Sequence, residues 1–297
     1  MRKQLITFVI LAFIAGSCKS PSGKSGDRTV TVTIPPVAWF VEAIAGDDFK
    51  VNVMLPPGAD HHIWEPLPAQ INSLSGSEAL IVNGQLGFEE AWMKRFLQVN
   101  PDISILDLSR NIDLISIEAD AEEAGHDHKG HMHAGTDPHF WMSPAEAAIM
   151  AEEIDGFLTA LNPDSSEKYE ARYRSLADSI AVLDSLVRMA VGTMNNRIVL
   201  IYHPALAYMA RDYGFEQVSF EDEGKSPSPA RMKELIDLAR EKEIKIIFIQ
   251  AEYDVRNAEA LAKESGAELV VINPLNREWP AAVIEVAEAL EQGRAER

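Results

Sequence analysis

The chain contains one long helical pattern, SSEKYEARYRSLADSIAVLDSLVRMAVGTM at residues 165–194. Its apolar side chains recur every three or four residues, which is the period of an α-helix with one buried face. They are Tyr169, Tyr173, Leu176, Ile180, Leu183, Leu186 and Val187. No glycine or proline interrupts the pattern before Gly192. About thirty residues at 1.5 Å each span roughly 45 Å, so we expect a single helix long enough to bridge two lobes.

Short apolar segments alternate with helical patterns on both sides of this helix. The segments before it are expected strands, at residues 29–34, 49–55, 79–82 and 104–108. Those after it lie at residues 197–202, 216–220, 244–249 and 268–272. Strands that alternate with helices form βα units and a parallel sheet. We therefore predict an α/β protein in which two lobes, each with a parallel four-stranded sheet flanked by helices, are joined by one long rigid helix.

The start of one helix has a specific signature. Ser143 can cap it, Pro144 suits its first position, and Glu146 completes a capping box. We expect this helix to run to about Leu161, because Asn162-Pro163 breaks the pattern.

The first 17 residues form an export signal. Arg2 and Lys3 give a positive start, and Leu5–Ile14 is an apolar run too short to span a bilayer as a stable helix. The segment Ile14-Ala15-Gly16-Ser17-Cys18, which holds the only cysteine, resembles a bacterial lipobox. That resemblance implies cleavage before Cys18 and lipidation of Cys18. The alternative is ordinary signal cleavage nearby and a free thiol.

The chain divides into five predicted segments. They are a lipoprotein signal peptide at 1–17, a flexible tether at 18–28, an N-terminal α/β lobe at 29–163, a linking helix at 164–194 and a C-terminal α/β lobe at 195–297. A length of 297 residues fits one large or two medium domains. The tether is rich in Ser, Gly and Lys, which favours a flexible chain.

Acidic side chains dominate the composition. There are 46 of them against 27 basic side chains, for a formal net charge of −19. This charge argues against nucleic acid or an anionic membrane surface as a partner and is compatible with a cationic ligand. The alternative is that the acidity only maintains solubility.

Three histidines follow expected strands. His62 follows the second strand of the first lobe, His139 the fourth, and His203 the first strand of the second lobe. In open parallel sheets, ligands gather outside the carboxyl ends of the strands. Three imidazoles without a cysteine suit Zn²⁺ or another borderline divalent ion. The alternative is that each histidine is a capped or core residue.

Four longer motifs carry a family resemblance. They are PPGADHHIWEPLP at 56–68, DPHFWMSP at 137–144, HPALAYMARDYGF at 203–215 and SPSPARMKEL at 226–235. With them, essentially the whole mature chain resembles the metal-binding, ZnuA/TroA-like solute-binding proteins of bacterial ABC importers. The resemblance implies two lobes joined by one long helix and a metal at the lobe interface. It also implies that His62, His139 and His203 are the ligands.

Two positions depart from the family's pattern. The family usually reads Pro-His or Glu-His where this chain has His61-His62, so His61 is either a fourth ligand or turned away from the ion. Manganese-type members carry an aspartate ligand after the last strand, where this chain has Asn273. Because Mn²⁺ prefers carboxylate oxygen, a neutral amide favours Zn²⁺ over Mn²⁺. The fourth position is left to His61, to water or to an acid such as Asp60 or Glu65.

A second group of histidines precedes the DPHFW motif. Residues 125–134 read GHDHKGHMHA, a composition that does not pack a core and predicts a surface loop. Its histidines are His126, His128, His131 and His133. A His-rich loop at this place is a further mark of the zinc-type branch that the chain resembles. We expect these four side chains to collect zinc weakly or to sense its excess, separately from His139.

The resemblance implies a function of capture and delivery rather than catalysis. The expected protein is a lipid-anchored monomer, at the periplasm or cell surface, that passes Zn²⁺ to an ABC-type membrane permease. One alternative is an exported zinc hydrolase, because three histidines with an open water position can also be catalytic, although there is no His-Glu-x-x-His helix. Another is a lipid-anchored adhesin or metal-storage protein on the same fold.

Deletion of residues 125–134 should leave one tight zinc site and remove weaker ones. The tight site is expected to use His139 rather than the four histidines of the deleted segment. Isothermal titration of the deleted and full-length proteins with Zn²⁺ measures both classes of site. Loss of the tight site on deletion would contradict this division.

Overall fold

The structure, a computed structural model, describes residues 28–117, 135–221 and 226–292. The predicted signal peptide, Cys18 and residues 18–27 of the predicted tether lie outside them. Eight strands form two sheets within the described residues. They are β1 Thr29–Val32, β2 Lys50–Val53, β3 Ala79–Val82, β4 Ser104–Asp107, β5 Ile198–Ile201, β6 Glu216–Ser219, β7 Ile246–Gln250 and β8 Glu268–Ile272.

Both sheets have four parallel strands and the same topology. The first, which we call the sheet of the N-terminal lobe, has the order β2-β1-β3-β4, and the second, in the C-terminal lobe, has the order β6-β5-β7-β8. The central strands β3 and β7 are buried along their whole length, whereas the edge strands β2 and β6 are partly exposed. The predicted pair of parallel four-stranded sheets is therefore confirmed.

Nine α-helices flank the sheets in the described part of the chain. They are α1 Pro35–Ala45, α2 Pro68–Leu74, α3 Gly87–Val99, α4 Pro144–Leu161, α5 Ser166–Thr193, α6 Ala207–Tyr213, α7 Pro229–Glu241, α8 Arg256–Ser265 and α9 Trp279–Gln292. None of them has a stretch both long and apolar enough to cross a membrane.

Helix α5 is the long helix that the sequence predicts, and its 28 residues connect the two halves of the chain. One face is buried, through Tyr169, Leu176, Ile180, Leu183, Val187, Ala190 and Val191. It packs against α1 and α4, which precede it, and against α9, which closes the chain. The apolar core around it is continuous from the first lobe to the second, so α5 is a packed element and not an isolated rod.

Two tryptophans tie the end of the chain to the first lobe. The Nε1–H of Trp141 donates to the carbonyl of Pro274 at 2.8 Å, and the Nε1–H of Trp279 donates to the carbonyl of Trp141 at 2.6 Å. Trp279 is fully buried, and its ring lies 4.9 Å from the ring of Phe40 in α1. A buried tryptophan needs a hydrogen-bond partner for its indole N–H. Both indoles find that partner on the opposite segment, so these bonds fix where the lobes meet.

The expected capping box at the start of α4 does not form. The helix begins at Pro144 as predicted, but the Ser143 side chain makes no capping bond. Its hydroxyl donates to Asp212, and the Glu146 carboxylate accepts from Arg211. Both partners lie on or beside α6 of the other lobe. The prediction was wrong because these long-range partners take the side chains that local capping would use.

The turn between β3 and α3 is held by a buried carboxylate. Glu89 accepts the backbone N–H groups of Asn83 at 2.8 Å and Gly84 at 2.7 Å. Burial raises the pKa of Glu89 to about 7, against the effect of these hydrogen bonds. The Asn83 amide then donates to the carbonyl of Pro138 at 3.0 Å, so this turn supports the segment that carries His139.

Gly84→Ala should destabilise the protein more than Gly266→Ala. Both glycines have positive φ, at 93° and 78°, so both variants pay the left-handed cost of about 1–2 kcal/mol. A Cβ at Gly84 would also lie 2.0 Å from Oδ1 of Asp107, whereas Gly266 faces open space. We expect free energies of unfolding lowered by about 3 and about 1 kcal/mol, measured by denaturant titration. Equal losses would contradict the steric account.

Candidate metal centre

Four histidines come together where segments leaving both sheets meet. His61, His62, His139 and His203 each offer one ring nitrogen, and these four atoms lie within 4.8 Å of one another. The first three come from the N-terminal lobe and the fourth from the C-terminal lobe. No cysteine or carboxylate belongs to the group in the described part of the chain. The histidines of residues 125–134 lie outside the described residues.

His61 and His62 are carried by the loop between β2 and α2. The Asp60 carboxylate accepts the backbone N–H of His62 at 2.9 Å, and the Asp60 carbonyl accepts those of Ile63 and Trp64 at 3.3 and 3.0 Å. These bonds close a tight turn that projects two adjacent imidazoles. His61 is only 2% exposed, whereas His62 is half-buried.

His139 opens a short 3-10 turn, His139–Met142, directly after Pro138. The Asp137 carboxylate accepts the backbone N–H of His139 at 2.7 Å and the ring Nδ1–H at 2.9 Å. The ring of Trp141 lies 5.2 Å from the imidazole. One carboxylate therefore sets both the backbone turn and the orientation of the ring.

His203 follows β5 and is held from two sides. The Glu221 carboxylate accepts its Nδ1–H at 2.8 Å. The Gln250 side chain accepts the His203 backbone N–H at 3.2 Å and donates to its carbonyl at 2.6 Å. Gln250 ends the buried strand β7, so the neighbouring strand fixes the backbone of His203.

The hydroxyl of Tyr208 joins the two lobes beside the site. It donates to the carbonyl of Asp137 at 2.7 Å and accepts the backbone N–H of Ile115 at 3.2 Å. Tyr208 lies on α6, and both of its partners lie in the first lobe. The segment that holds His139 is therefore bonded to the helix that follows His203.

The Nε2 atoms of the four rings converge on one point. They are separated by 2.9 Å between His61 and His139, 2.8 Å between His62 and His203, and 3.2 Å between His139 and His203. A tetrahedral Zn²⁺ with bonds of about 2.0–2.1 Å holds its ligand atoms roughly 3.3–3.4 Å apart. These three separations are somewhat shorter than those of a four-coordinate zinc site, and all four ligand atoms lie within 4.8 Å of one another.

The tautomers of the two carboxylate-bound histidines also point to a cation. The Asp137 and Glu221 carboxylates face Nδ1 of His139 and His203, and a neutral ring that donates Nδ1–H to its carboxylate has an unprotonated Nε2. Two unprotonated nitrogens that face each other at 3.2 Å repel unless a metal ion or a proton lies between them. A histidine that binds a metal through one ring nitrogen usually donates the N–H of the other, often to a carboxylate. The residues present thus fit Zn²⁺.

Burial keeps three of the four imidazoles, those of His61, His62 and His139, in the neutral form that binds metal. Burial first, and the neighbouring imidazoles second, hold the pKa of His61 and of His139 well below the ordinary value. Burial and His203 lower the pKa of His62 to about 4. Burial raises the pKa of Asp137 to about 6, an effect that its hydrogen bond from the His139 backbone opposes. Neutral imidazoles at pH 7 need no deprotonation before they bind an ion.

His61 differs from His139 and His203 in the surroundings of its second ring nitrogen, Nδ1. Its Nδ1 is buried and has no hydrogen-bond partner among the described residues. If His61 binds an ion through Nε2, Nδ1 must carry the ring proton. A buried donor without an acceptor costs roughly 1–3 kcal/mol. Ligation by His61 therefore has an opposing energy that His139 and His203 do not have.

The other sequence candidates for the fourth position are placed elsewhere. Asp60 bonds to the backbone of the His61-His62 turn, and Glu65 is exposed. Asn273 is exposed, and its side-chain oxygen accepts the backbone N–H of Leu275 at 3.1 Å. Of the side chains left open by the sequence, His61 is the one that lies in the cluster.

Sequence reasoning missed the residues that orient the histidines. Asp137 stands two residues before His139 in the DPHFW motif, and this spacing allows one carboxylate to cap the turn and hold the ring. Gln250 was visible as a polar residue at the end of the apolar strand IIFIQ. Glu221 had no distinguishing signal in the acidic stretch that it begins.

Two α/β lobes with a cluster of metal-ligating side chains between them are an arrangement found in solute-binding proteins. Residues 30–292 match the family described as "ZnuA: Zinc-uptake complex component A periplasmic". The chain belongs to this family, so the resemblance in the motifs is confirmed. Members of the family are solute-binding proteins of metal ABC importers and not enzymes, so the hydrolase alternative is set aside.

Relatives with described metals are similar over most of the chain. "Zinc-binding lipoprotein AdcA" of Streptococcus pneumoniae is 26% identical, over 91% of this chain and 54% of the relative. This chain thus spans about half of that protein's length. "High-affinity zinc uptake system protein ZnuA" of Bacillus subtilis is 28% identical, over 87% of this chain and 82% of the relative.

Other relatives are named for other metals. "Manganese-binding lipoprotein MntA" of Halalkalibacterium halodurans is 25% identical, over 91% of this chain and 88% of the relative. "Iron-binding protein YfeA" of Yersinia pestis is 26% identical, over 84% of this chain and 78% of the relative. None of the four names refers to adhesion.

A solved structure confirms the two-lobed fold. "Crystal structure of ZnuA" has a TM-score of 0.80 and 30% identity, and the match covers 89% of this chain and 98% of that chain.

Asp137→Ala should weaken zinc binding about 10–100-fold, which is the usual cost of removing the group that supports a ligating histidine. Competition with a zinc chelator measures the affinity. Asp107→Ala is the matched control, because Asp107 accepts the N–H of Ser109 at 3.0 Å in the same kind of turn but holds no histidine in that bond. Equal losses in the two variants would contradict a role for Asp137 at the metal.

Proposed function

We propose that this chain captures Zn²⁺ outside the cytoplasm and delivers it to an ABC-type membrane permease. The observation that supports this most strongly is the convergence of four Nε2 atoms between the lobes. His62, His139 and His203 would bind the ion, with His61 as the fourth ligand. Zn²⁺ is the cargo, so the chemistry is coordination and release without a catalytic step.

The donor set favours zinc over manganese. All four candidate ligands are imidazoles, which suit Zn²⁺, whereas Mn²⁺ prefers carboxylate and other oxygen ligands. The names of AdcA and of the Bacillus ZnuA support the same choice, while MntA and YfeA show that relatives are named for other metals. The exposed amide of Asn273, bonded within its own turn, supplies no anionic oxygen in place of an imidazole.

Capture would require only a small change in the relative position of the lobes. Helix α5 packs against elements of both halves, and Trp141, Trp279 and Tyr208 form hydrogen bonds across the junction. Metal binding would draw ligands from both lobes together and tighten this contact. A continuous core opposes a wide hinge motion, because opening it would expose buried apolar surface.

The location and partners rest on the family and on the N-terminal sequence. The family description is periplasmic, and AdcA and MntA are named as lipoproteins. Together with the lipobox-like segment, these names support anchoring through lipid on Cys18, so that a monomer on the membrane surface meets the permease. Residues 125–134 would supply weaker zinc sites beside the tight one.

His139→Ala should reduce the affinity for Zn²⁺ by more than about 100-fold, because loss of a ligand costs more than loss of the carboxylate that supports it. Isothermal titration with Zn²⁺, and competition with excess Mn²⁺, measures affinity and selectivity. His126→Ala is the control histidine and should keep the tight site. Unchanged tight binding in His139→Ala would refute the site.

Growth of the host under zinc limitation separates import from storage or adhesion. Loss of the gene should slow growth when zinc is scarce, and added zinc should restore it. The His139→Ala gene should fail to complement, whereas the His126→Ala gene should complement. Normal growth of the deletion strain under zinc limitation would contradict import.

A further inference from the structure

We propose that His61 is the exchangeable ligand of the site, the one whose bond to Zn²⁺ breaks first when the ion is passed on. This inference rests on the proposed function and adds an order of ligand release to it. It starts from a difference in how the four rings are held. His139 and His203 are each held at Nδ1 by a carboxylate, at 2.9 and 2.8 Å.

His61 has no such support. Its side chain is 2% exposed, and its Nδ1 finds no partner among the described residues. Binding of zinc through Nε2 places the ring proton on this buried nitrogen. The bond between His61 and the ion is therefore weakened by an unpaired donor, and rotation of the ring out of the cluster relieves that cost.

His62 is the appropriate comparison, because it is the next residue on the same turn. It is half-buried, so water can accept the proton on its Nδ1. The Asp60 carboxylate also holds its backbone N–H at 2.9 Å. Of the two adjacent histidines, His62 is thus supported as a ligand and His61 is not.

The surroundings of His61 allow its ring to leave without unfolding the lobe. The backbone bonds within residues 56–64 are local, joining Ala59 to Pro56 and both Ile63 and Trp64 to Asp60. Ile63 is 79% exposed at the tip of this loop. The carboxylate-held rings, in contrast, lie on segments that are bonded across the lobe junction.

The exchange that follows conserves atoms and charge. An incoming donor, such as an imidazole or carboxylate of the receiving protein, forms a bond to zinc with its lone pair. The bond from zinc to Nε2 of His61 breaks, and His61 leaves as a neutral imidazole with its proton on Nδ1. The ion keeps His62, His139 and His203 until further donors replace them. A single weak position gives fast transfer from a tight site.

Release of Zn²⁺ to an excess of chelator, followed by stopped flow, tests this order in the full chain. His61→Ala should lower the equilibrium affinity only about tenfold and raise the release rate by a similar factor, because water can take the fourth position. His62→Ala is the matched control and should lower the affinity by more than about 100-fold. Added imidazole should slow release from His61→Ala toward the unmodified rate.

Equal affinity losses in the His61 and His62 variants would overturn the inference, as would failure of imidazole to slow release. His61→Gln, which keeps most of the side-chain volume, serves as the test variant if His61→Ala does not fold. Co²⁺-loaded protein gives an independent readout, since His61→Ala should keep a four-coordinate absorption spectrum. If the unmodified protein binds no Zn²⁺ tightly, the proposed function fails as well.

Discussion

The structure depends on bringing two imidazole nitrogens, from different lobes, to within 3.2 Å of each other. His139 and His203 each use Nδ1–H to donate to a carboxylate, so their Nε2 lone pairs are directed at the same point. This arrangement is unfavourable unless a metal ion or a proton lies between the two nitrogens. Two further imidazoles, from His61 and His62, complete a spacing close to that of tetrahedral zinc. The rest of the fold holds these rings in place.

The junction between the lobes supplies that support. The core is continuous around α5, and the two buried tryptophans form hydrogen bonds across it. Tyr208 bonds the segment of His139 to the helix that follows His203. The backbone turn of His61 and His62, in contrast, has only local hydrogen bonds, and its tip is exposed at Ile63. A division between a firmly held pair and a less constrained pair fits a protein that must both bind and release its ion.

Much of the fold could be predicted from local pattern. Helix α5 begins and ends within two residues of the predicted limits, because no glycine or proline interrupts its apolar period before Gly192. The strands followed from the alternation of βα units. The cap at Ser143 was predicted wrongly, since its hydroxyl bonds to Asp212 in the other lobe. The roles of Glu221 and Gln250 could not be predicted for the same reason, because each depends on a residue distant in sequence. Whether His61 turns toward or away from the cluster also required the tertiary structure.

The most direct test of the central claim is a crystal structure of the Zn²⁺-loaded protein with anomalous data on both sides of the zinc edge. We expect one strong zinc peak between the lobes, with the Nε2 atoms of His62, His139 and His203 at about 2.0–2.1 Å and His61 as the fourth and least ordered ligand. A tight zinc peak bound by other residues, or one that lacks His139 or His203, would contradict it.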